Sequence, residues 1–375
     1  MTSLINPKIK GYICINSNPY GCNNNIQKQI KYIKKNIIYN KDIYNKNIII
    51  IGSSTGYGLT TRLITTFAYK AKVLGLFLEK NKNNKTASTG WYNTSYLEKK
   101  THKMNLYTKS INNNSFCNST KIKTVNIIKK NFKKKIDLLI YSLASPKRID
   151  PISKKIYKSE LKPTEKKIKI KNINIIKEKI IYKKINKATN IDIFNTKKVM
   201  GGEDWELWIN ILIKNNLLNK NFKTVAYSYN GPRITHNIYK KGTIGLAKKH
   251  LENTTYRINK KLKKKYNGTA YISINQAIIT QASLAIPSVA LYLSLLNKIK
   301  KYNEFNQIFK LLNIITKKNK SNIIKLDNIE LNTYIQNKIN YNLNHINNNN
   351  IYKFINIIKI KKIFYKLFGF NFKKK

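Results

Sequence analysis

A run of four isoleucines that ends at a glycine constrains this chain more than any other feature. The run Ile48–Ile51 is followed by Gly52, and two more glycines, Gly56 and Gly58, follow at offsets of four and six. A stretch with helical character, 59–70, comes next. Strand, glycine turn and helix in this order favour a dinucleotide site, because the backbone can approach a pyrophosphate and the helix N-terminus faces its negative charge. The spacing is G-x-x-x-G-x-G instead of the commoner G-x-G-x-x-G.

Further apolar runs alternate with helical stretches along the chain. This alternation predicts an α/β fold, a Rossmann-like doubly wound parallel sheet with helices on both faces. Ligands of such sheets bind at the carboxyl ends of the strands. The predicted strands are 48–51, 73–78, 136–141, 225–229 and 270–274, and the clearest helices are 59–70 and 202–218.

The chain is long enough for one large α/β domain. We therefore expect a single Rossmann-type domain over 1–375, with a small excursion at 150–198 that covers the substrate and a C-terminal helical part at 298–375. The uncharged segment Ala277–Leu296 has the length of a membrane-spanning helix. Its polar residues and Pro287 favour a buried strand end followed by a core helix that starts at this proline, so we predict no membrane span.

The net charge is extreme, since 73 Lys and Arg residues oppose 16 Asp and Glu residues, a formal +57. Such a balance is typical of nucleic-acid binding. However, Lys, Asn and Ile are abundant together, all three have A/T-rich codons, and the basic residues are spread along the chain. We interpret the charge as compositional drift and predict no specific nucleic-acid partner.

The cysteines and histidines do not suggest a metal site, and we predict none. Three cysteines without metal-ligand spacing favour a reducing environment. The first ten residues lack the apolar core of a signal peptide. We therefore expect a cytoplasmic protein, and a monomer.

Glu79 ends the second predicted strand, the one that follows the glycine turn. A carboxylate at this place accepts hydrogen bonds from the ribose hydroxyls of adenosine and repels a 2′-phosphate, which favours NAD over NADP. The alternative is a solvated glutamate at a strand end. With only 16 acidic residues in the chain, a placement here by chance is less expected.

Tyr239 and Lys248 form a second constellation. A reductase of a carbonyl-conjugated substrate needs a donor at the carbonyl oxygen, and a tyrosine serves if a nearby ammonium lowers its pKa. Spacing alone carries no weight among 25 tyrosines and so many lysines. The pair does not match short-chain reductase spacings, because Thr243 and Leu246 stand four and seven residues after the tyrosine. Its context is a strand end at Tyr229 and a glycine-bearing helix start.

The segment 200–208 concentrates unusual residues at a helix start. Glu203 or Asp204 is expected to cap that helix. Trp205 and Trp208 are expected to face the core, with a substrate-lining role as the alternative.

Several stretches together resemble one family, the FabV-type enoyl-[acyl-carrier-protein] reductases, also called trans-2-enoyl-CoA reductases. The resemblance implies an NADH-dependent reduction of the carbon–carbon double bond of 2-enoyl thioesters in fatty-acid elongation, with enoyl-acyl carrier protein or enoyl-CoA as substrate. The matching stretches, in family order, are 7–14, 52–58, 89–93, 141–146, 200–208, 224–229, 280–283 and 367–370.

The resemblance also implies roles for individual residues. The family's Tyr-x8-Lys pair is matched by Tyr239, as donor to the thioester oxygen, and by Lys248, on the cofactor. Tyr229 matches a substrate-contacting tyrosine. The positions that match cofactor-binding stretches are Gly52, Ser53, Ser54, Thr55, Gly56, Tyr57, Leu78, Glu79, Asn114, Ser115, Leu143, Ala144, Lys248, Ile278, Ile279 and Thr280.

The chain also departs from the family pattern. Asn114 and Ser115 stand where the family usually has an Asp and a small residue. His236 and Asn237 replace a Trp-Pro pair before the tyrosine, and Lys240 replaces an aromatic residue.

Two other interpretations remain open from the sequence. One is a basic protein that binds nucleic acid or a membrane surface and carries an idle Rossmann fold. The other is a short-chain carbonyl reductase, against which the Tyr-x8-Lys spacing argues.

Overall fold

The computed structural model describes residues 5–37, 42–81, 86–132, 135–300, 303–317, 319 and 321–371. The strands are β1 (Ile9–Lys10), β2 (Ile13–Cys14), β3 (Asn47–Ile51), β4 (Lys72–Phe77), β5 (Thr108–Asn112), β6 (Ile136–Tyr141), β7 (Lys147–Ile149), β8 (Ile156–Lys158), β9 (Ile168–Asn174), β10 (Lys179–Ile185), β11 (Leu218–Ser228), β12 (Thr269–Ile274) and β13 (Ile323–Lys325).

The α-helices surround these strands, and a short 3₁₀ turn at Arg233–Thr235 precedes the seventh helix. They are α1 (Pro19–Asn36), α2 (Gly56–Phe67), α3 (Thr89–His102), α4 (Asn118–Asn131), α5 (Asn190–Met200), α6 (Glu203–Lys214), α7 (His236–Tyr239), α8 (Thr243–Tyr266), α9 (Gln281–Leu284), α10 (Val289–Ile299), α11 (Glu304–Thr316), α12 (Thr333–His345), α13 (Ile351–Phe354) and α14 (Ile357–Lys366).

The central sheet has seven strands in the order β13-β12-β11-β6-β3-β4-β5, and all of its neighbouring pairs are parallel. The chain starts this sheet in the middle, moves outward to β5, and then returns to β6 on the other side of β3. The strand order therefore reverses between β3 and β6, which is the switch point where doubly wound sheets bind ligands. The predicted fold class is confirmed.

The two faces of the sheet carry separate apolar cores, and strand β3 shows why. Its isoleucines alternate between the faces because successive side chains of a strand point in opposite directions. Ile49 and Ile51 pack in a core with α4, α6 and α8, whereas Ile48 and Ile50 pack with α1, α2 and α11. Helices thus cover both faces, as the near-continuous apolar strands require.

In the segment 200–208, the predicted burial of the two tryptophans is confirmed, and the predicted helix cap is wrong. Trp205 and Trp208 are fully buried in the core on the α6 side. The N-cap of α6 is Gly202, and neither Glu203 nor Asp204 caps the helix. The Asp204 carboxylate is instead buried, and it accepts hydrogen bonds from Lys121 Nζ at 2.7 Å and from the Tyr141 hydroxyl at 3.0 Å. A carboxylate in the core needs a charged partner and hydrogen bonds, and Lys121 and Tyr141 supply both.

The uncharged segment Ala277–Leu296 contains no strand. Strand β12 ends before it, a loop runs to Thr280, and the short helix α9 precedes α10. Helix α10 begins at Val289, two residues after Pro287. Within the described residues, no helix combines the length and the apolar character needed to cross a membrane.

Residues 150–198 contain β8, the β9–β10 hairpin and all but the last two residues of α5. The hairpin contributes to a third apolar core together with α10, α12, α13 and α14. Ile173 of the hairpin and Tyr239 of α7 are both buried in this core. Between β8 and the hairpin, the backbone carbonyl oxygen of Lys162 accepts a hydrogen bond from the backbone N–H of Thr243 at 3.0 Å, which ties residues 150–198 to the start of α8.

Candidate active site

The glycine turn lies at the switch point of the sheet. Gly52 follows β3 with a φ of +85°, a conformation that favours glycine. A Cβ at Gly52 would lie 2.4 Å from the carbonyl oxygen of Ser142, so the ends of β3 and β6 meet here. Helix α2 begins at Gly56, and no side chain of the described residues caps its first turn. Its free N–H groups are therefore available to an anionic ligand.

The third glycine of the turn holds the helix close to the strand. A Cβ at Gly58 would lie 1.9 Å from the carbonyl oxygen of Gly52. Only glycine permits this approach, which is the packing role of the last glycine in dinucleotide turns.

Glu79 lies at the end of the neighbouring strand β4 and faces the glycine turn. Its Oε1 accepts a hydrogen bond from Ser54 Oγ at 2.6 Å. Its backbone N–H donates to Asn112 Oδ1 at 2.8 Å. A Cβ at Gly90, in the first turn of α3, would lie 1.9 Å from the same carboxylate oxygen. The carboxylate is thus in contact with Ser54 and Gly90, the backbone of Glu79 is held by Asn112, and Leu78 before it is 68% exposed.

The loops after β6 and β12 approach the same turn. A Cβ at Gly52 would lie 3.0 Å from the backbone nitrogen of Leu143, and Ala144 next to it is exposed. A Cβ at Gly56 would lie 3.5 Å from Thr280 Cγ2. Thr280 Oγ1 accepts from the backbone N–H of Ser283 at 3.0 Å and so caps α9. The loop residues before it, Ile278 and Ile279, are partly buried.

The remaining predicted cofactor residues differ in their contacts. Tyr57 donates to the carbonyl oxygen of Gln276 at 2.9 Å, so it links α2 to the loop after β12. Asn114 and Ser115 follow β5, one strand beyond Glu79. The Asn114 side chain accepts from the backbone N–H of Phe116 at 3.1 Å, and the buried Ser115 hydroxyl has no hydrogen-bond partner in the described part of the chain.

Tyr239, Lys248 and Tyr229 lie together beyond the end of β11. Tyr239 ends α7 and is 7% exposed, and Lys248 lies in the second turn of α8. The Tyr229 and Tyr239 rings meet edge to face with centroids 5.1 Å apart. Lys248 Nζ is 5.3 Å from the Tyr239 centroid and 5.9 Å from that of Tyr229, and it donates to Ser228 Oγ at 3.2 Å.

The expected lowering of the tyrosine pKa is wrong for this structure. Burial raises the pKa of Tyr239 above its ordinary value, and the Glu330 charge adds to the rise. Burial also lowers the pKa of Lys248 to about 7, against the opposing effect of Glu252 and Asp327. An ammonium that is itself disfavoured by desolvation cannot offset the desolvation of a neighbouring phenol. Tyr239 is therefore a protonated group at neutral pH.

Sequence reasoning missed Glu330, which lies under this cluster. Its Oε1 accepts from the Tyr229 hydroxyl at 2.8 Å. A signal was present in the sequence: Asp327 and Glu330 are the only acidic residues after Glu304, and they lie within four positions of each other. No neighbouring motif connects them to a strand end, because the sequence around β13 predicts helix.

Three family models match consecutive parts of the chain. The first, described as the NAD(P)H binding domain of trans-2-enoyl-CoA reductase, matches residues 4–84. The second, the trans-2-enoyl-CoA reductase catalytic region, matches residues 85–313. The third, an enoyl reductase FAD binding domain, matches residues 319–374.

Relatives match over nearly the whole chain. The chain is 38% identical to a trans-2-enoyl-CoA reductase [NADH] of Ruminiclostridium cellulolyticum, over 98% of this chain and 95% of that protein. It is 38% identical to an enoyl-[acyl-carrier-protein] reductase [NADH] of Coxiella burnetii, over 98% of this chain and 93% of that protein. The crystal structure of Treponema denticola trans-2-enoyl-CoA reductase in complex with NAD superimposes with a TM-score of 0.91 at 32% identity, covering 98% of this chain and 96% of that one.

The residues at 319–374 do not fit a flavin. The segment contains one glycine, Gly369, so it has no glycine-rich turn to approach a pyrophosphate. A Cβ at Gly369 would lie 2.3 Å from the carbonyl oxygen of Asn18. The glycine therefore permits close packing against the residue that precedes α1. The apolar faces of α12, α13 and α14 are packed in the third core.

The family models and the relatives all name enoyl reductases, and the solved structure of a relative has the same fold. They argue against a short-chain carbonyl reductase and against a fold retained only for binding polyanions. The matched regions cover more than half of the chain, and the relatives exceed 30% identity over nearly all of it. The chain therefore belongs to the trans-2-enoyl-CoA reductase family.

Proposed function

We propose that this protein uses NADH to reduce the 2,3 double bond of trans-2-enoyl thioesters carried by CoA or by acyl carrier protein. The observation that carries the proposal is the cluster of Tyr239, Lys248 and Tyr229 at the strand edge that also holds the glycine turn. The names of the relatives support both thioester carriers and NADH. We also propose that the enzyme works in the cytoplasm as a monomer.

The residues around the switch point fit NADH. The turn Gly52–Tyr57 and the uncapped start of α2 would hold the pyrophosphate. Glu79, already oriented by Ser54, would accept hydrogen bonds from the adenosine ribose. Leu143 and Thr280, on the loops after β6 and β12, would line the path toward the nicotinamide. Bound NADH supplies the hydride of the reaction.

Tyr239 would hold a proton at the thioester oxygen while negative charge develops there. Burial keeps its phenol protonated, so it is a donor throughout the neutral range. A donor placed where charge develops lowers the barrier more than one that binds the ground state. Lys248, held by Ser228, would contact the cofactor ribose.

We further propose that residues 150–198 cover the bound acyl chain. The β9–β10 hairpin shares its apolar core with Tyr239 and α10, and Lys162 anchors the excursion to the start of α8. An apolar cover excludes water from the reacting carbons, which strengthens electrostatic interactions in the site.

The direct test is NADH oxidation by the purified full chain with a 2-enoyl-CoA and with the matching acyl-carrier-protein thioester. We expect turnover with both, and kcat/KM for NADH at least about tenfold above that for NADPH, because the Glu79 carboxylate repels the 2′-phosphate. Glu79→Gln keeps the shape and removes the charge, so it should reduce this preference. Equal rates with NADH and NADPH in the unmodified chain would refute the role of Glu79.

A further inference from the structure

A buried carboxyl group from the C-terminal segment reaches the candidate active site. Glu330 lies just beyond β13, outside the region that matches the family's catalytic model. It is 0% exposed. A carboxyl group without water needs full hydrogen bonding, since otherwise its burial is strongly unfavourable.

The structure shows what satisfies this carboxyl group. Oε1 accepts from the hydroxyls of Tyr229 and Tyr292, both at 2.8 Å. Oε2 accepts from the backbone N–H of Ala277 at 2.6 Å. The backbone of Glu330 is held in turn, because its carbonyl oxygen accepts from Gln336 Nε2 at 2.6 Å. A fully satisfied buried network of this kind is rigid.

These contacts join the two sides of the site. Tyr229 packs edge to face on Tyr239, which is the substrate side. Ala277 begins the loop that leads to Thr280, and Thr280 lies beside Gly56 on the cofactor side. One carboxyl group therefore fixes the relative position of the two sides.

The network also distinguishes Tyr229 from Tyr239. The Tyr229 O–H is engaged with Glu330, so this hydroxyl can offer only its lone pairs to another group. In the described residues, the Tyr239 hydroxyl has no hydrogen-bond partner. Tyr239 is thus the tyrosine whose proton is available to a substrate oxygen.

We propose that Glu330 is a positioning residue that acts through Tyr229 and the loop at 277–280, and that it leaves Tyr239 as the sole tyrosine donor of the cluster. This inference rests on the proposed function. It gives the segment at 319–374 a role in the active site that does not involve a flavin.

The test is a double-mutant cycle on the full chain with Glu330→Gln, Tyr229→Phe and the double variant. Tyr229→Phe removes the Tyr229–Glu330 hydrogen bond, whereas Glu330→Gln leaves one neutral acceptor oxygen where two carboxylate oxygens accepted from Tyr229, Tyr292 and Ala277. Both changes act on the same hydrogen bond, so their effects on kcat should not multiply. We expect each single variant to lower kcat about tenfold and the double variant to be no slower than the slower single variant. KM for NADH should change less than kcat.

Tyr292→Phe is the matched control. It removes the other hydroxyl from the same carboxylate oxygen without touching Tyr239, so kcat should fall less than about threefold. A Tyr292→Phe enzyme as slow as Glu330→Gln would show that the carboxyl group is only structural, and this would overturn the inference. Multiplicative effects in the cycle would do the same.

A variant that does not fold would leave the role of Glu330 undecided, so Tyr229→Phe serves as a second test. If Glu330→Gln does not fold, Tyr229→Phe is still expected to fold, because Tyr292 and Ala277 remain on the carboxylate, and normal kcat in that variant overturns the inference. If the unmodified chain is active and Glu330→Gln has a normal kcat, the inference is overturned but the proposed function is not. An unmodified chain that oxidises no NADH with either thioester overturns the proposed function instead.

Discussion

Two tyrosines in edge-to-face contact differ here by a single hydrogen bond. Tyr229 and Tyr239 have ring centroids 5.1 Å apart, and burial raises the pKa of both. Of these two tyrosines, only Tyr229 donates to the Glu330 carboxyl group among the described contacts. At the scale of the residue, therefore, the two phenols are distinguished by their hydrogen-bond partners, and not by their burial or the direction of their pKa shifts.

Tyr239→Phe should lower kcat by about 100-fold or more, because it removes only the proton donor at the atom that gains negative charge. NADH affinity, measured by fluorescence titration, should stay within about twofold, since no cofactor contact is lost. Tyr266→Phe is the control. The Tyr266 hydroxyl is buried at the far end of α8 and has no hydrogen-bond partner in the part of the chain that the structure describes, so its removal should leave kcat unchanged. A Tyr239→Phe enzyme of near-normal rate would place the donor elsewhere.

At the scale of the element, the β3–α2 unit depends on backbone contact. The strand, the turn and the helix are held at a separation that only hydrogen at the Gly58 α-carbon allows. This closeness brings the uncapped helix start and Ser54 to the same edge as Glu79. The geometry of the cofactor site is therefore a property of the whole unit.

Gly58→Ala should lower the thermal midpoint by about 5 °C or more and weaken NADH binding, because a Cβ 1.9 Å from the Gly52 carbonyl forces the helix away from the strand. Differential scanning calorimetry with and without NADH measures both effects. Gly11→Ala is the control. A Cβ at Gly11 meets no described residue within 4 Å, so that change should cost only the backbone strain of a φ of +61°, about 1 kcal/mol. Equal effects of the two changes would contradict this account.

At the scale of the whole molecule, the +57 charge is the dominant feature. The few acidic side chains are concentrated in ion pairs, several of them buried or half-buried, such as Asp204 with Lys121 and Glu203 with Arg148. Most of the positive charge is therefore uncompensated, and long-range attraction of any polyanion follows from it.

The salt dependence of kcat/KM should show whether the positive charge guides acyl carrier protein to the site or only attracts polyanions in general. Acyl carrier proteins are acidic as a class, so kcat/KM for the carrier-protein thioester should fall more steeply with ionic strength than that for its CoA counterpart. Stopped-flow or steady-state rates from low to about 0.2 M salt measure the two slopes. Parallel slopes would mean that the lysines do not help the protein partner, and sequence-specific DNA binding that survives this salt would refute compositional drift.

The sequence alone determined the parts of this protein that depend on neighbouring residues. The isoleucine run, the glycine turn and the alternation of strands and helices predict the sheet, because burial on both faces and the backbone freedom of glycine are local requirements. The two edge strands were missed. β5 (Thr108–Asn112) has one fully buried residue and β13 (Ile323–Lys325) has only three residues, so neither shows an apolar run.

Only the tertiary structure decided the hydrogen bonding and the protonation of the candidate active site. Glu330 and Tyr229 are separated by 101 positions, and no spacing in the sequence relates them. The sequence suggested a lysine that lowers a tyrosine pKa, whereas in the fold burial dominates both groups, raising the pKa of Tyr239 and lowering that of Lys248. Desolvation is a property of everything packed around a group, and that packing is assembled from distant parts of the chain.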